Sequence, residues 1–231
     1  AKADLIVISG AEGGTGARPA SSMRFAGISP EIGLSETQQT LVKNGLRGQV
    51  RLQVDGQLKT GRDIVLMALL GAEEYAFGTT ALIVLGCVMM RKCNLNTCPM
   101  GVATQDPALR KHFRGRYEYL VNYFTFLAQE VREYLAQMGF RSLNEIVGHT
   151  ELIVQKHTEP GTKWAMLDFR RLLFKESANC SLYHTSEQKH DLCDVLDQRI
   201  IHGAENSINN QEEVNLDFAI KNTDRAVGTM L

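Results

Sequence analysis

Three cysteines stand close together in Cys87-Val-Met-Met-Arg-Lys-Cys93-Asn-Leu-Asn-Thr-Cys98-Pro99, spaced C-x5-C-x4-C. Free cysteines are usually buried singly, so thiols this crowded point to a bound group that draws them to one centre. Zinc favours four ligands, often as two C-x2–4-C pairs. Only Cys93 and Cys98 have that spacing here, and the nearest downstream histidine is His112. Closely spaced cysteines with a proline after the last suit an iron–sulfur cluster better. Three ligands fit a three-iron cluster, or a four-iron cluster with one open iron. The alternative is a buried strand or helix that happens to be rich in cysteine.

The chain before the cysteines reads as a repeated βα unit. Lys2 to Ser9 is a nearly continuous apolar run, as in a strand buried on both faces. It ends in Gly10-Ala-Glu-Gly13-Gly14-Thr15-Gly16, a loop whose amides can approach an anion or a flavin edge. A helix is expected over Ser35 to Asn44, with Ser35 as N-cap and Gly45 just past its end. Gln49 to Asp55 alternates apolar and polar as a strand, and a helix from about Arg62 to Leu70 stops at Gly71. Tyr75 to Phe77 is a third short strand, ending in Gly78-Thr79-Thr80, and an apolar helical segment then leads to Cys87. This order argues for a parallel sheet, either doubly wound or a (β/α)8 barrel. No G-x-G-x-x-G joins a strand to a helix, so a dinucleotide-binding first turn has little support. In a barrel, Asp55-Gly56 and Gly78-Thr79-Thr80, ending two consecutive strands, would form a phosphate site.

After the cysteines the chain turns helical. Asp106-Pro107 is a helix start, and Tyr117 to Met138 reads as one long amphipathic helix closed by Gly139. Its stripe of Leu120, Phe124, Leu127, Val131, Leu135 and Met138 is core packing. Ser142 to Glu145 is a capping box for a short helix stopping at Gly148. Residues 149–212 alternate polar stretches with short helical pieces and read as a connector over neighbouring domains. Cys180, His184, His190 and Cys193 match no common zinc spacing. Glu213 to Asn222 alternates like a strand.

Bulk properties exclude several classes. The formal net charge of −1 implies no general affinity for nucleic acid or acidic membranes. The longest apolar run, Ala81 to Met90, is too short to span a bilayer. Five cysteines, three of them clustered, read as a reducing compartment rather than a disulfide framework. A strand almost at residue 1 and a tail, Val227 to Leu231, that reads as a beginning lead us to expect a piece of a longer protein.

Taken together, these motifs resemble the large subunit of glutamate synthase. The likeness is carried by Ile8 to Ala17 (ISGAEGGTGA), Gly33 to Glu36, Val54 to Asp63 (VDGQLKTGRD), Leu70 to Glu73 and Cys87 to Gly101. Phe140 to Glu145 and Asn222 to Gly228 extend it. The resemblance implies an α/β fold: about three βα units forming the C-terminal portion of an FMN-binding (β/α)8 TIM barrel, followed by helices and an irregular connector. Residues 1–104 would be barrel with the iron–sulfur loop at 87–98, residues 105–148 a helical extension, residues 149–212 the connector, and residues 213–231 the start of a β-helix domain.

By the same resemblance Cys87, Cys93 and Cys98 ligate a [3Fe–4S] cluster. Gly13, Gly14, Thr15 and Gly16 lie beside the flavin and the 2-oxoglutarate pocket. Asp55, Gly56, Gln57, Gly78, Thr79 and Thr80 contribute to the FMN phosphate region. The catalytic residue is unknown, because the lysine expected for that role lies upstream of Ala1. The implied reaction joins ammonia from glutamine to 2-oxoglutarate, and a hydride from FMN reduces the resulting 2-iminoglutarate to glutamate. Electrons reach the flavin through the cluster, from an NAD(P)H-dependent small subunit or from ferredoxin. The expected location is the cytoplasm, or a plastid for a ferredoxin-dependent enzyme. Gln57 replaces a glycine, Arg18 replaces a serine, and Ser29-Pro30-Glu31 replaces proline-tryptophan-glutamate. The isolated chain is expected to be inactive. The alternatives are a truncated, non-catalytic fragment and a glutamate-synthase-like FMN oxidoreductase acting on another substrate.

Overall fold

In the computed structural model, residues 2–11, 19–156, 159–177 and 179–231 are described. They form two compact units, residues 3–187 and 188–231.

The first unit is built on three parallel strands, β1 (Leu5–Ser9), β2 (Arg51–Asp55) and β3 (Glu74–Ala76), in the order β1-β2-β3. Leu5 pairs with Arg51 and Gln53 with Glu74, so the strands run in step and their C-terminal ends lie on one side. The alternating residues of β2 supply the centre of the core, with Leu52 and Val54 fully buried. The expectation that β1 is buried on both faces is not met. Ile6 and Ile8 pack on the core, whereas Leu5 and Val7 are 40% and 50% exposed. That face is only partly covered, and among the described residues β1 has a strand on one side only.

Helices α1 (Ala20–Phe25) and α2 (Pro30–Lys43) separate β1 from β2, and α3 (Gly61–Leu70) separates β2 from β3. Helix α2 starts five residues before the expected Ser35 cap: Ser29 precedes Pro30, and proline at a first helical position is pre-set for the helix. Ser35 instead sits inside α2, where its hydroxyl donates to the Leu172 carbonyl at 2.5 Å. Helix α3 opens on a reciprocal capping box between Thr60 and Asp63 and closes on left-handed Gly71, φ +119°.

Helix α4 (Thr79–Val84) leads into the cysteine loop, and α5 (Pro107–Arg110) follows it, capped by Asp106 through the amides of Ala108 and Leu109. Helix α6 has the bounds read from its stripe, Tyr117–Met138, and ends on left-handed Gly139. Leu127, Val131 and Leu135 bury against α3. The two helices approach so closely that a Cβ on Gly61 would lie 2.8 Å from the Val131 amide nitrogen. Glu130 reaches across to accept the Gly61 amide at 2.7 Å, satisfying a donor at the start of α3. Beyond α6, the Ser142 hydroxyl donates to Glu145 at 3.0 Å, but the segment makes only a single 3-10 turn, Leu143–Glu145.

Part of the expected connector packs on the first unit. His184 donates its amide to Glu73 at 2.6 Å, and Thr185 and Ser186 both donate to the Gly48 carbonyl.

The second unit is organised by α7 (Leu196–Asn210). Buried Asp197 accepts the amides of Gly228 at 2.8 Å and Met230 at 3.0 Å, and Arg199 lies over the Phe218 ring. The strand expected over Glu213 to Asn222 is not formed: the segment is irregular chain, with Leu216 against Gly203 in α7. Alternation supplies a face but no ladder partner, and among the described residues it has none. No described helix is long and apolar enough to cross a membrane.

Candidate functional site

Cys87, Cys93 and Cys98 all line one cavity of about 60 Å³, together with Leu82, Met89, Arg91 and Val102. The turn that carries Cys87 out of α4 is fixed by Gly86 (φ +95°) and by the Cys87 amide donating to the Leu82 carbonyl. From there the backbone is unusual. Met89, Arg91 and Asn96 hold φ of +56°, +56° and +57°. Asparagine tolerates that conformation, but for the other two it costs of order 1–2 kcal/mol each. Left-handed residues in a loop can turn neighbouring amides to one side, where they favour negative charge.

Sulfur atoms receive those amides. The Met89 amide donates to Cys87 Sγ at 3.4 Å. The Ala103 amide above all holds the Cys98 thiol below its ordinary pKa; burial opposes it, and the amides of Met100, Val102 and Gly101 add to the lowering. Gly101 (φ +71°) makes this possible: a Cβ there would meet the Leu109 carbonyl at 2.6 Å. The sequence signal for these donors was the Met-Gly-Val-Ala run after Pro99, which reading for side-chain ligands passed over.

Among the described residues no group of three or more His, Cys, Asp or Glu converges on a single ion. A mononuclear metal is therefore a poor match for the loop. A cluster makes a different demand, because each cysteine binds a separate iron and the sulfurs need only face one cavity. Soft thiols, inward amides and a depressed thiol pKa fit that group.

The second constellation lies at the strand ends. Asp55, Gly56, Gln57, Gly78, Thr79 and Thr80, all singled out from sequence, line one cavity of about 240 Å³. Parallel register brings them together, since β2 and β3 end on the same side. Asp55 Oδ1 is buried and has no hydrogen-bond partner among the described residues, so it presents an acceptor there. Thr80 is already committed: its hydroxyl donates to the Leu58 carbonyl at 2.6 Å. Gly56 and Gln57 both have positive φ, +118° and +61°. Gly56 lies against Gly10, where an added Cβ would come within 3.1 Å of the Gly10 backbone. A neighbouring cavity of about 530 Å³ is lined by Ala11, Gly27, Ser29, Glu31, Gln57 and Asp63, among others. Gly13, Gly14, Thr15 and Gly16, and with them Arg18, lie outside the described residues. Cys180, His184, His190 and Cys193 form no metal-holding group among the described residues.

Residues 1–141 match the family model described as the conserved region in glutamate synthase. That span holds the three strands, the cysteine loop and α6. The chain belongs to the glutamate synthase family. Its relatives include the NADPH glutamate synthase large chain of Azospirillum brasilense, 48% identical over the whole of this chain and 15% of that protein. The NADH glutamate synthase of Schizosaccharomyces pombe is 47% identical over the whole chain and 11% of its own length. The chloroplastic ferredoxin-dependent glutamate synthase of Oryza sativa is 46% identical over 97% of the chain and 14% of its own length. This glutamate synthase segment thus spans only 11–15% of the length of these curated relatives. Both constellations lie inside the part that the family model covers.

Proposed function

We propose that this segment is the C-terminal part of the FMN-binding (β/α)8 barrel of a glutamate synthase large subunit, with β1, β2 and β3 among its strands. Cys87, Cys93 and Cys98 are its ligands to a [3Fe–4S] cluster. The full-length protein reductively aminates 2-oxoglutarate with ammonia from glutamine to give glutamate. The observation that carries this reading is the cysteine loop: three thiols on one cavity, with amides aimed at the sulfurs of Cys87 and Cys98.

When bound, the flavin supplies hydride chemistry and the cluster supplies one-electron relay. The chain's own residues hold and orient. Asp55 Oδ1 is an acceptor suited to a ribityl hydroxyl, since it would repel a phosphate. The amides of Gly56, Gln57 and Gly78, with the Thr79 hydroxyl, are the donors suited to the phosphate. Thr80 fixes the loop through Leu58. Gly13, Gly14, Thr15 and Gly16 would face the flavin and the substrate. The electron donor is an NAD(P)H-dependent subunit or ferredoxin, and the location is cytoplasm or plastid accordingly.

The experiment is anaerobic iron and acid-labile sulfide analysis with EPR on the full-length enzyme and its Cys93→Ser variant. About three irons per chain, a three-iron signal and its loss in the variant are expected. A folded, anaerobically reconstituted enzyme without iron would overturn the assignment.

A further inference from the structure

We propose that Tyr123 is a positioning residue for the flavin phosphate: from α6 it fixes the turn that ends β2 in the shape the phosphate needs. The inference rests on the flavin assignment above and adds what holds that site in register.

The turn is strained and tied down. Gly56 and Gln57 take φ of +118° and +61°, and a left-handed glutamine persists only where its surroundings impose it. Each of the next four residues is bound through its backbone to a side chain. The Thr80 hydroxyl donates to the Leu58 carbonyl at 2.6 Å, and the Tyr123 hydroxyl donates to the Lys59 carbonyl at 2.5 Å. The amides of Lys59 and Thr60 donate to Asp63 at 3.0 and 2.9 Å, and that of Gly61 donates to Glu130 at 2.7 Å.

Two of these ties come from α6. Tyr123, Leu127 and Glu130 follow one another at four- and three-residue steps, so they share one face of the helix. Phe124, the residue beside Tyr123, packs edge to face on Phe77 with ring centroids 5.1 Å apart. Phe77 lines the same cavity of about 240 Å³ as Gly56, Gln57, Gly78 and Thr79. Helix α6 therefore braces both walls of that cavity, the turn after β2 through Tyr123 and the end of β3 through Phe124.

Donors that stand in place before an anion arrives bind it more tightly than donors that must first be ordered. Tyr123 acts in this way through the Lys59 carbonyl, two residues beyond Gln57. Burial above all, then the carboxylates of Asp63 and Glu130, raises the Tyr123 hydroxyl above its ordinary pKa, so it keeps its proton and remains a donor. Tyr123→Phe removes that donor and leaves the ring that packs on Phe124 at 5.2 Å.

The test uses the full-length enzyme, stripped of flavin and titrated with FMN and with riboflavin, which lacks the phosphate. Quenching of flavin fluorescence reads both affinities. Tyr123→Phe is expected to bind FMN about three- to tenfold more weakly, the loss of one hydrogen bond, and riboflavin as wild type does. At saturating FMN its flavin absorption spectrum should match wild type. Where wild type binds riboflavin too weakly to measure, inorganic phosphate replaces it as the probe, and its competition against FMN should weaken by the same factor. Unchanged FMN affinity, or equal losses for FMN and riboflavin, overturns the positioning role alone, the second result marking Tyr123 as merely structural. A wild-type enzyme that binds FMN no better than riboflavin overturns the phosphate site, and this inference with it.

Discussion

Arg47, with no exposed surface, lies 2.8 Å from the carboxylate of Glu73, and the pair ties together parts of the chain that are distant in sequence. Arg47 also donates to Gln38 Oε1, to the Val50 carbonyl at 2.6 Å and to the Gly71 carbonyl at 3.0 Å. Glu73 in turn accepts the amides of Leu52 at 3.2 Å and His184 at 2.6 Å. Sheet, α3–β3 turn and connector therefore meet on one ion pair. Because burial opposes the Arg47 charge and Glu73 restores it, either partner left alone is costly.

Glu73→Ala is accordingly expected to destabilise the first unit by about 3–5 kcal/mol, the usual cost of stranding a buried charge. Urea denaturation measures it. A loss under about 1 kcal/mol would mean that water reaches Arg47 in place of the carboxylate.

None of that network was legible in the sequence. Arg47 stands in a Leu-Arg-Gly-Gln stretch with no periodic signal, and Glu73 is one acid among many until the fold places it. Elements whose partners are local were read well: α6 from its stripe, and α3 from its apolar run up to Gly71, although the Thr60–Asp63 cap that opens it reads in sequence only as a turn. Ser35 and Glu213 to Asn222 misled for a common reason. A cap residue and an alternating pattern are permissive signals, and a nearby proline or the lack of a pairing strand overrules them. At the site, side-chain types marked both constellations. The amides on the cysteine sulfurs were invisible, because they depend on backbone angles at Met89 and Gly101.

Gly71 and Gly45 allow two costs of substitution to be separated. Both have positive φ, +119° and +66°. A Cβ on Gly71 would lie 2.6 Å from Gln38 Oε1, the acceptor of Arg47, whereas among the described residues nothing lies within 4 Å of one on Gly45. Gly45→Ala is expected to cost about 1 kcal/mol, the backbone term alone. Gly71→Ala is expected to cost at least about 2 kcal/mol more, since it displaces a buried network. Denaturation midpoints of the two variants, compared side by side, check it, and equal losses would rule out the clash.

Gln57 keeps a left-handed φ of +61°, at a position where the resemblance to the family implies glycine. Relieving that strain should outweigh the extra freedom glycine gives the unfolded chain. Gln57→Gly is expected to raise stability by about 0.5–1 kcal/mol, seen as a higher melting temperature. A lower melting temperature would show that the Gln57 side chain contributes more than its backbone costs.

Glu151 gives the fold a dependence on acid. Burial pushes its carboxyl up, but hydrogen bonds from Lys175 at 2.6 Å and His149 at 2.8 Å, with a backbone amide, bring it down from 4.5 to about 2. A carboxylate with a depressed folded pKa contributes stability that is complete above its unfolded value and is lost as pH falls through the folded one. The window is therefore from about pH 4.5 down to about pH 2. Half of this side chain is in water, so screening limits the effect to under about 1 kcal/mol. Across that window Glu151→Gln is expected to lose stability less steeply than wild type, while at neutral pH it is slightly the weaker of the two. Urea midpoints taken at half-unit steps of pH would record this as two curves that converge on acidification. Parallel curves would mean that Lys175 and His149 bind the glutamate no better than water does.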